Sequence, residues 1–513
     1  MDSFSRFRKD TGVGQIIDSS LRSFPEREAI VFGDWRLRYS ELGSLIYKTA
    51  RFLMSLGVKK GDSVAIISRN CPEYIIAEMA ILKLGAVVVK FNWRLTPEEM
   101  DELLERNRVA CAFYKAEDPL WGRELEERTA GRLRLVRLEP VQGRSVLYTL
   151  LEGFSDEPIQ TRVEPDAPAY HMHTSGTTGR CKCVVYSTQR YLDQLESMLR
   201  ALEFPEGQVY QFISQLFHSA CAGAFLTLAT GGTLILMQQF NVKEYVESLV
   251  REKVNAIGVI PLVLQSILDA TEGGGYDLSN LHVINYSTCP ISPELLSKAL
   301  KRLDCRFYQS YGMTEMGSTV TALLPEDHFT GDGACLRSVG RPLPGAQVQI
   351  QREDGSLCRP GETGEICLRG HGMMLEYYGQ EAATAEAFRG GWYHSKDVGY
   401  LDGGGYLYLR GRMDSLIISG GENIYPEEVS NVLLKMPQIL ETAVFGVPDE
   451  KWGEHVKACV VPRPGCGVTE QDIKDFCRAN MPAFRIPKEI EFMTELPKNA
   501  TGKLLLDKLK RKA

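Results

Sequence analysis

Residues 173–183 read His-Thr-Ser-Gly-Thr-Thr-Gly-Arg-Cys-Lys-Cys. From Thr174 through Ser175, Gly176, Thr177, Thr178 and Gly179, each side chain is a hydroxyl group or is missing. Successive backbone N–H groups in such a turn form an anion-binding concavity, glycines let a phosphate approach closely, and hydroxyls add donors without bulk. The run suits phosphate, with Lys182 as the nearby cation. Its G-x-x-G-x-x-K spacing, Gly176 to Lys182, is not the G-x-x-x-x-G-K-[ST] of a Walker A loop. Cys181 and Cys183 flank that lysine. Zinc takes four N/S ligands, and no C-x-x-C or H-x3-H pair lies nearby, so no metal site is expected there. A redox role needs an exposed thiolate of low pKa, which Arg180 and Lys182 could favour. Packing as small hydrophobes at a loop-to-strand junction is the plainer reading.

Such a loop must be held by strands and helices, and the chain supplies them in alternation. "YSELGSLIYKTARFLMSLG" has helical spacing and a terminal glycine; "DSVAIIS" reads as a strand, "EYIIAEMAILKLG" as a helix and "AVVVKF" as a second strand. This βαβ rhythm implies a parallel sheet with crossover helices. It recurs through "GTLILMQQF", "YVESLVREKVNAIGVI" and "SPELLSKALKRL". From Gly345 the pattern changes to short alternating strands with turn signals at Asp354-Gly355 and Pro360-Gly361, a small β-rich module. About the last hundred residues restart as a separate small α+β domain. At 513 residues the chain exceeds a single core. A net charge of −7 argues against nucleic acid. The N-terminus lacks an apolar signal core and no stretch approaches a membrane span, which reads as a cytoplasmic enzyme. Thirteen cysteines scattered through apolar runs suit reduced, buried thiols rather than disulfides.

The phosphate loop resembles that of the adenylate-forming enzymes, the superfamily of acyl-CoA synthetases, adenylation domains and luciferase. Further motifs follow in that family's order: "QLFHSACAG", "QSYGMTEMG", "SVGRPLPG", "GETGEICLRG", "GWYHSKDVGYLD", "GRMDSLIISGGENIYPEEV" and "LPKNATGKL". The resemblance covers almost the whole chain. It implies an α/β fold with a large N-terminal AMP-binding domain, residues 1–411, of parallel and mixed sheets plus the β-rich module. A hinge at 412–414 and a mobile C-terminal domain, 415–513, follow. It also implies ATP, Mg²⁺ and coenzyme A as cofactors. A thiol does not displace a carboxylate oxygen, whereas an acyl-AMP offers a phosphate ester as leaving group. Charge gathering between the acid and pyrophosphate calls for cations and donors. By resemblance Lys503 is the catalytic lysine bridging carboxylate and α-phosphate, and a point charge on a flexible stem suits it. Glu315 is the magnesium-associated acid. Thr314 bonds the adenylate phosphate, Tyr311 lies against adenine, and Gln309, Ser310, Gly312 and Met313 beside it are cofactor-binding. Asp397 and Arg412 meet the ribose, and Asp414 is the hinge, with Ser415 where a second acid is common. Ser419, Gly420 and Gly421 approach the pantetheine thiol in the rotated state. His218 stands where amino-acid adenylating domains carry an aspartate, which argues against an amino-acid substrate.

One departure from the family pattern bears on the acyl pocket. Ser287, Thr288, Cys289 and Pro290 replace a Gly-Gly-Ala-Pro pattern, so added side chains should narrow or polarise the acyl tunnel. The expected substrate is a short, medium or compact cyclic or aryl acid, with His218, Cys221, Leu262, Ser287 and Met313 bounding the pocket. The expected reaction is carboxylic acid, ATP and CoA giving acyl-CoA, AMP and pyrophosphate. Delivery of the acyl group to a carrier-protein thiol, and a non-catalytic nucleotide-binding homologue, are the alternatives. A homodimer is compatible with a chain of this size.

Overall fold

The computed structural model describes residues 12–138, 140–141, 144–174, 181–329, 333–498 and 504–510, with backbone alone at 140, 141, 144–146, 220, 334 and 507. Two large sheets build the N-terminal part. One has nine strands in the order Arg341–Pro342, Thr321–Leu323, Arg306–Tyr311, Val283–Ser287, Ala256–Val259, Val209–Phe212, Thr233–Leu236, Glu28–Phe32 and Trp35–Arg38. Its six inner strands from Arg306–Tyr311 to Glu28–Phe32 run parallel, and the strands flanking them are antiparallel. The other has seven, Glu376–Tyr377, Lys182–Ser187, Pro168–Thr174, Val87–Lys90, Ser63–Ile67, Val109–Tyr114 and Arg134–Arg137.

The alternation read from the sequence becomes these elements. Helices form at Tyr39–Ser55 and Pro72–Lys83, with Ser63–Ile67 and Val87–Lys90 paired in parallel beside them. All twelve residues of helix Pro72–Lys83 are buried, charged Glu73, Glu78 and Lys83 included. It carries Glu78 and Lys83 into the interior, each matched by a partner: Lys83 by Asp18, and Glu78 by Lys90 at 2.6 Å, with no exposed side-chain surface on either member of the second pair.

In the nine-stranded sheet, Val209–Phe212 lies between Thr233–Leu236 on one side and Ala256–Val259 on the other, so the direction of strand addition reverses there. Open parallel sheets bind ligands outside the strand C-termini at such a reversal. The loop after Phe212 carries His218. The β-rich module is a five-stranded sheet of Ala346–Gln351, Gly364–Gly370, Trp392–Leu401, Phe388–Arg389 and Leu407–Arg412. Beyond it the long hairpin Ile439–Asp449 and Gly453–Pro462 organises a last sheet with Ile417–Ser419, Glu422–Ile424 and Glu489–Phe492, covered by helices Pro426–Leu433 and Glu470–Asn480. That part has its own apolar core, centred on Ile417, Val429, Val444, Val456 and Ile473. Among the described residues no helix is long and apolar enough to cross a membrane.

Candidate active site

A cleft of ≈ 2340 Å³ runs from the strand C-termini of the nine-stranded sheet, past the β-rich module, to helix Pro426–Leu433. The described candidates from Thr174 and Lys182 through His218, Ser287 to Cys289, Gln309 to Glu315, Asp397, Arg412 and Asp414 all border it. Ser175 to Gly179 and Lys503 lie outside the described residues. Thr174 and Lys182 are cross-strand partners where that phosphate run leaves and rejoins the sheet. Leu504 to Leu506, immediately after Lys503, also line the cleft.

On the β-rich side, Asp397 and Arg412 sit opposite each other on paired antiparallel strands, where directly facing opposite charges meet. Arg412 Nη1 donates to Asp397 Oδ1 at 3.0 Å, and its Nε to Asp414 Oδ1 at 3.2 Å. The other Asp397 oxygen accepts from Tyr311 Oη at 2.7 Å. Burial and the adjacent carboxylate hold the Tyr311 hydroxyl far above its ordinary pKa, so it remains a donor. One guanidinium thereby orients the carboxylate, the aromatic ring and the chain at 412–414. Tyr311 leads directly into Gly312, where a Cβ would stand 2.0 Å from the Ser318 carbonyl oxygen, so the turn into Thr314 and Glu315 closes only around glycine.

Thr314 and Glu315 occupy the short 3-10 turn Thr314–Met316. Tyr186 donates its hydroxyl to the Thr314 carbonyl, and Met374 N–H bonds the Glu315 carbonyl at 2.9 Å. Tyr377 Oη donates to Glu315 Oε1 at 3.0 Å. Burial raises the Glu315 carboxyl above its ordinary value. No lysine or arginine among the described residues forms an ion pair with it. A buried carboxylate with one oxygen held by a neutral donor fits a hard divalent cation such as Mg²⁺, which takes few protein ligands and completes its shell with phosphate and water. Lys182 Nζ stands over the Tyr377 ring, 4.5 Å from its centroid, placing the loop lysine beside the same tyrosine.

His218 also borders the cleft, its ring 4.1 Å from that of Phe217. Its buried Nε2 has no hydrogen-bond partner among the described residues, and burial, assisted by Arg94 and Lys90, lowers its pKa to about 4. At neutral pH it is an uncharged imidazole. The loop under it is pinned twice. Asn70 donates to the Ser214 carbonyl at 2.8 Å and accepts from Leu216 N–H at 2.9 Å. Lys90 Nζ reaches the Leu216 carbonyl at 3.0 Å and Cys221 Sγ at 3.2 Å.

Several expectations change. Cys221 is fully buried beneath the loop against Lys90 instead of lining the pocket, and Leu262 is 43% exposed on the outer side of its helix. Ser419, Gly420 and Gly421, expected at the thiol only in the rotated state, do not border the cleft in this arrangement, and Gly420 packs against Trp452, where a Cβ would lie 2.7 Å from the indole. Thr288 does occupy a glycine-like backbone, φ 77°, its Oγ1 3.4 Å from Ser287 Oγ. Cys181 Sγ bonds the Thr174 carbonyl at 3.0 Å, and Cys183 Sγ bonds Asn107 Oδ1 at 3.2 Å. Burial raises the Cys181 thiol to about 11 and Cys183 still higher, so both are thiols that pack and not thiolates poised to react. The sequence reading also missed Lys90, Tyr377 and Asn70. Lys90 had a signal, a lone cation inside the apolar run "AVVVKF".

One cluster of metal-ligand type, Glu365, Cys367 and His394, lies within the β-rich sheet, its ligand atoms within 4.8 Å of one another. Arg389 Nη2 stands 2.9 Å from His394 Nδ1, so the protein already supplies a cation there.

Residues 17–378 match the family model of the AMP-binding enzyme, and residues 428–503 that of the AMP-binding enzyme C-terminal domain. A fatty acid–[acyl-carrier-protein] ligase of Streptomyces coeruleorubidus is 32% identical over 491 residues, covering 95% of this chain and 93% of that protein. A 2-succinylbenzoate–CoA ligase of Geobacillus sp. (strain WCH70) is 34% identical over 493 residues, covering 95% of each. Among solved structures, o-succinylbenzoate CoA synthetase of Bacillus subtilis in complex with its acyl-adenylate intermediate superposes with a TM-score of 0.85 at 30% identity, covering 97% of this chain and 98% of that one. The same enzyme with ATP and magnesium ion gives 0.84.

Proposed function

The chain belongs to the AMP-binding enzyme family, and on that premise we propose that it is an AMP-forming acid:CoA ligase for a short, medium or compact cyclic or aryl carboxylic acid. ATP and the acid give an acyl-adenylate and pyrophosphate; the CoA thiol then displaces AMP. The observation that carries the reading is one cleft bordered by two chemically different sets of groups. Tyr311, Asp397 and Arg412 offer a ribose- and base-sized set of donors and acceptors, with Glu315 and Lys182 beside it for a cation and phosphates. The same cleft is bordered by the neutral His218 with the residues of the acyl face. The neutral imidazole supports a carboxylic acid without an α-ammonium group, because it offers no charge to hold one.

In this reading Lys503 supplies the charge that bridges carboxylate and α-phosphate. Residues 1–411 bind the nucleotide and acid, 412–414 form the hinge, and 415–513 rotate to present Ser419, Gly420 and Gly421 to the pantetheine. The enzyme works in the cytoplasm on small molecules and not on nucleic acid, as a monomer or a homodimer. The Streptomyces relative favours a second acceptor, a carrier-protein thiol. The test is AMP release from ATP and a panel of acids, with CoA or an acyl-carrier protein supplied. CoA-dependent AMP release supports the ligase reading. Dependence on the carrier protein alone replaces it with the second, and no release of pyrophosphate with any acid overturns both. Lys503→Ala should lower adenylate formation by roughly 10²- to 10³-fold, the usual loss for one transition-state stabiliser, while thioesterification of supplied acyl-AMP persists. Equal loss of both half-reactions refutes that role.

A further inference from the structure

The acyl side of the cleft is closed by a tyrosine lying across a glycine. Strands Val209–Phe212, Ala256–Val259, Val283–Ser287 and Arg306–Tyr311 are parallel neighbours with Tyr210 level with Ala256, Val283 and Arg306. With a period of two, Tyr210, Gly258, Asn285, Ser287 and Ser310 therefore share one face, and all five border the cleft. Gly258 has no side chain, and Tyr210 uses the space. A Cβ at Gly258 would stand 2.4 Å from Tyr210 Oη, and one at Gly223, on helix Ala222–Ala229, 3.2 Å from it. The ring is wedged between sheet and helix. Behind it lies a second cavity of ≈ 20 Å³, lined by Leu202, Phe204, Gln208 and Tyr308 together with Tyr210 and Asn285. Tyr210, with Phe204 and Asn285, borders both and forms part of the partition between them.

The partition carries polar atoms on its cleft side. Asn285 Oδ1 accepts from Ser310 Oγ at 3.0 Å, which leaves its amide N–H groups as donors. Tyr210 Oη has no hydrogen-bond partner among the described residues, and burial is the one influence acting on its ionisation. The charges at the far end, Glu203 and Arg306, pair with each other. The end of the pocket is thus short, neutral and rich in donors, and a substrate that left those donors unpaired would bind poorly.

Resting on the ligase reading above, we infer that the acid is a compact, ring-sized monocarboxylic acid bearing a neutral oxygen acceptor, such as a hydroxyl, keto or ether oxygen, remote from its carboxyl group. Tyr210 Oη donates to that oxygen with the Asn285 amide beside it, and the Tyr210 ring sets the length limit.

The test compares matched acids in ATP–pyrophosphate exchange with the full-length enzyme: 4-hydroxycinnamate against cinnamate, and 4-oxocyclohexanecarboxylate against cyclohexanecarboxylate. The oxygenated member of a pair is expected to have the higher kcat/KM. Tyr210→Phe should shrink that ratio by roughly 3- to 10-fold, the worth of one hydrogen bond. Tyr210→Ala should join the two cavities and raise kcat/KM for decanoate relative to the ring acids. A ratio unchanged in Tyr210→Phe, or a wild-type preference for the deoxygenated acids, overturns the inference while leaving the ligase reading intact. Exchange with no acid of any kind overturns the ligase reading itself, and the inference with it.

Discussion

Glu315 shows how a single carboxylate is prepared by its neighbours. Tyr377 holds one oxygen, burial works against the charge, and no lysine or arginine among the described residues is paired with it, which suits a carboxylate whose charge a metal and phosphates balance. Glu315→Gln keeps the shape and an acceptor for Tyr377 but removes the charge. It should lower kcat for adenylation by roughly 10²-fold, with little change in the KM for the acid; pyrophosphate exchange across a Mg²⁺ series is the measurement. If added Mg²⁺ restores the variant fully, or if the loss appears only in the acid's KM, Glu315 is not serving the cation.

Two strands show how much of the site depends on elements and not on the groups facing the substrate. Strand Val87–Lys90 delivers Lys90 into a fully buried pair with Glu78 of helix Pro72–Lys83, and the same ammonium holds the His218 loop through the Leu216 carbonyl. Removing one partner leaves an uncompensated buried charge, so Lys90→Met should cost about 3–5 kcal/mol, whereas Lys90→Met with Glu78→Leu should recover most of that loss. Urea unfolding reads the stability. If the loop depends on Lys90, both variants also raise the KM for the acid; an unchanged KM in the stable double variant would refute that link. Strand Pro168–Thr174 carries His171 and His173, which Asn107 bridges at 3.1 Å to each. Burial lowers His171 to about 4 and His173 to about 3 from 6.5. Because the folded values lie below the unfolded one, the unfolded chain takes up protons first as pH drops below 6.5. Stability should therefore fall on acidification from about pH 6.5, by up to about 2 kcal/mol per histidine at about pH 5, with His218 adding to the slope and no such loss above about pH 7. Thermal melts from about pH 5 to 8 measure it, and a His171→Gln/His173→Gln variant with the same slope as the wild type would show the strand is not its source.

At the scale of the molecule, the C-terminal domain is latched beside the cleft through Glu428, which meets Arg410 of the β-rich sheet and Arg485 of its own domain, the latter at 2.8 Å. Asp414 lies on the connecting turn and is tied to Arg412. On the proposal that 412–414 form a hinge, Asp414→Pro restricts φ where that hinge would have to change it. It should retain pyrophosphate exchange within about an order of magnitude while CoA-dependent AMP release falls by roughly 10²-fold or more. Loss of both half-reactions together would place Asp414 in the adenylation step and not in a rotation between steps.

The division between sequence and structure follows from how local each signal is. Helical and strand periodicities, the βαβ rhythm and the run from Thr174 to Gly179 are short-range patterns, and motif order alone placed Tyr311, Glu315, Asp397 and Arg412 in one site. The facing of Asp397 and Arg412 needed the register of two strands, and the pairing of Lys90 with Glu78, twelve positions apart, needed a helix and a strand packed together. Cys221 and Leu262 were misjudged for the same reason, since spacing along a chain does not say which side of a packed element meets a cavity. The partition at Tyr210 depended on a glycine 48 positions away on a neighbouring strand. Residue types and their spacing determined the chemistry this protein can attempt; which acid the cleft accommodates was decided by volumes and unpaired donors that exist only after the sheets and helices have closed on one another.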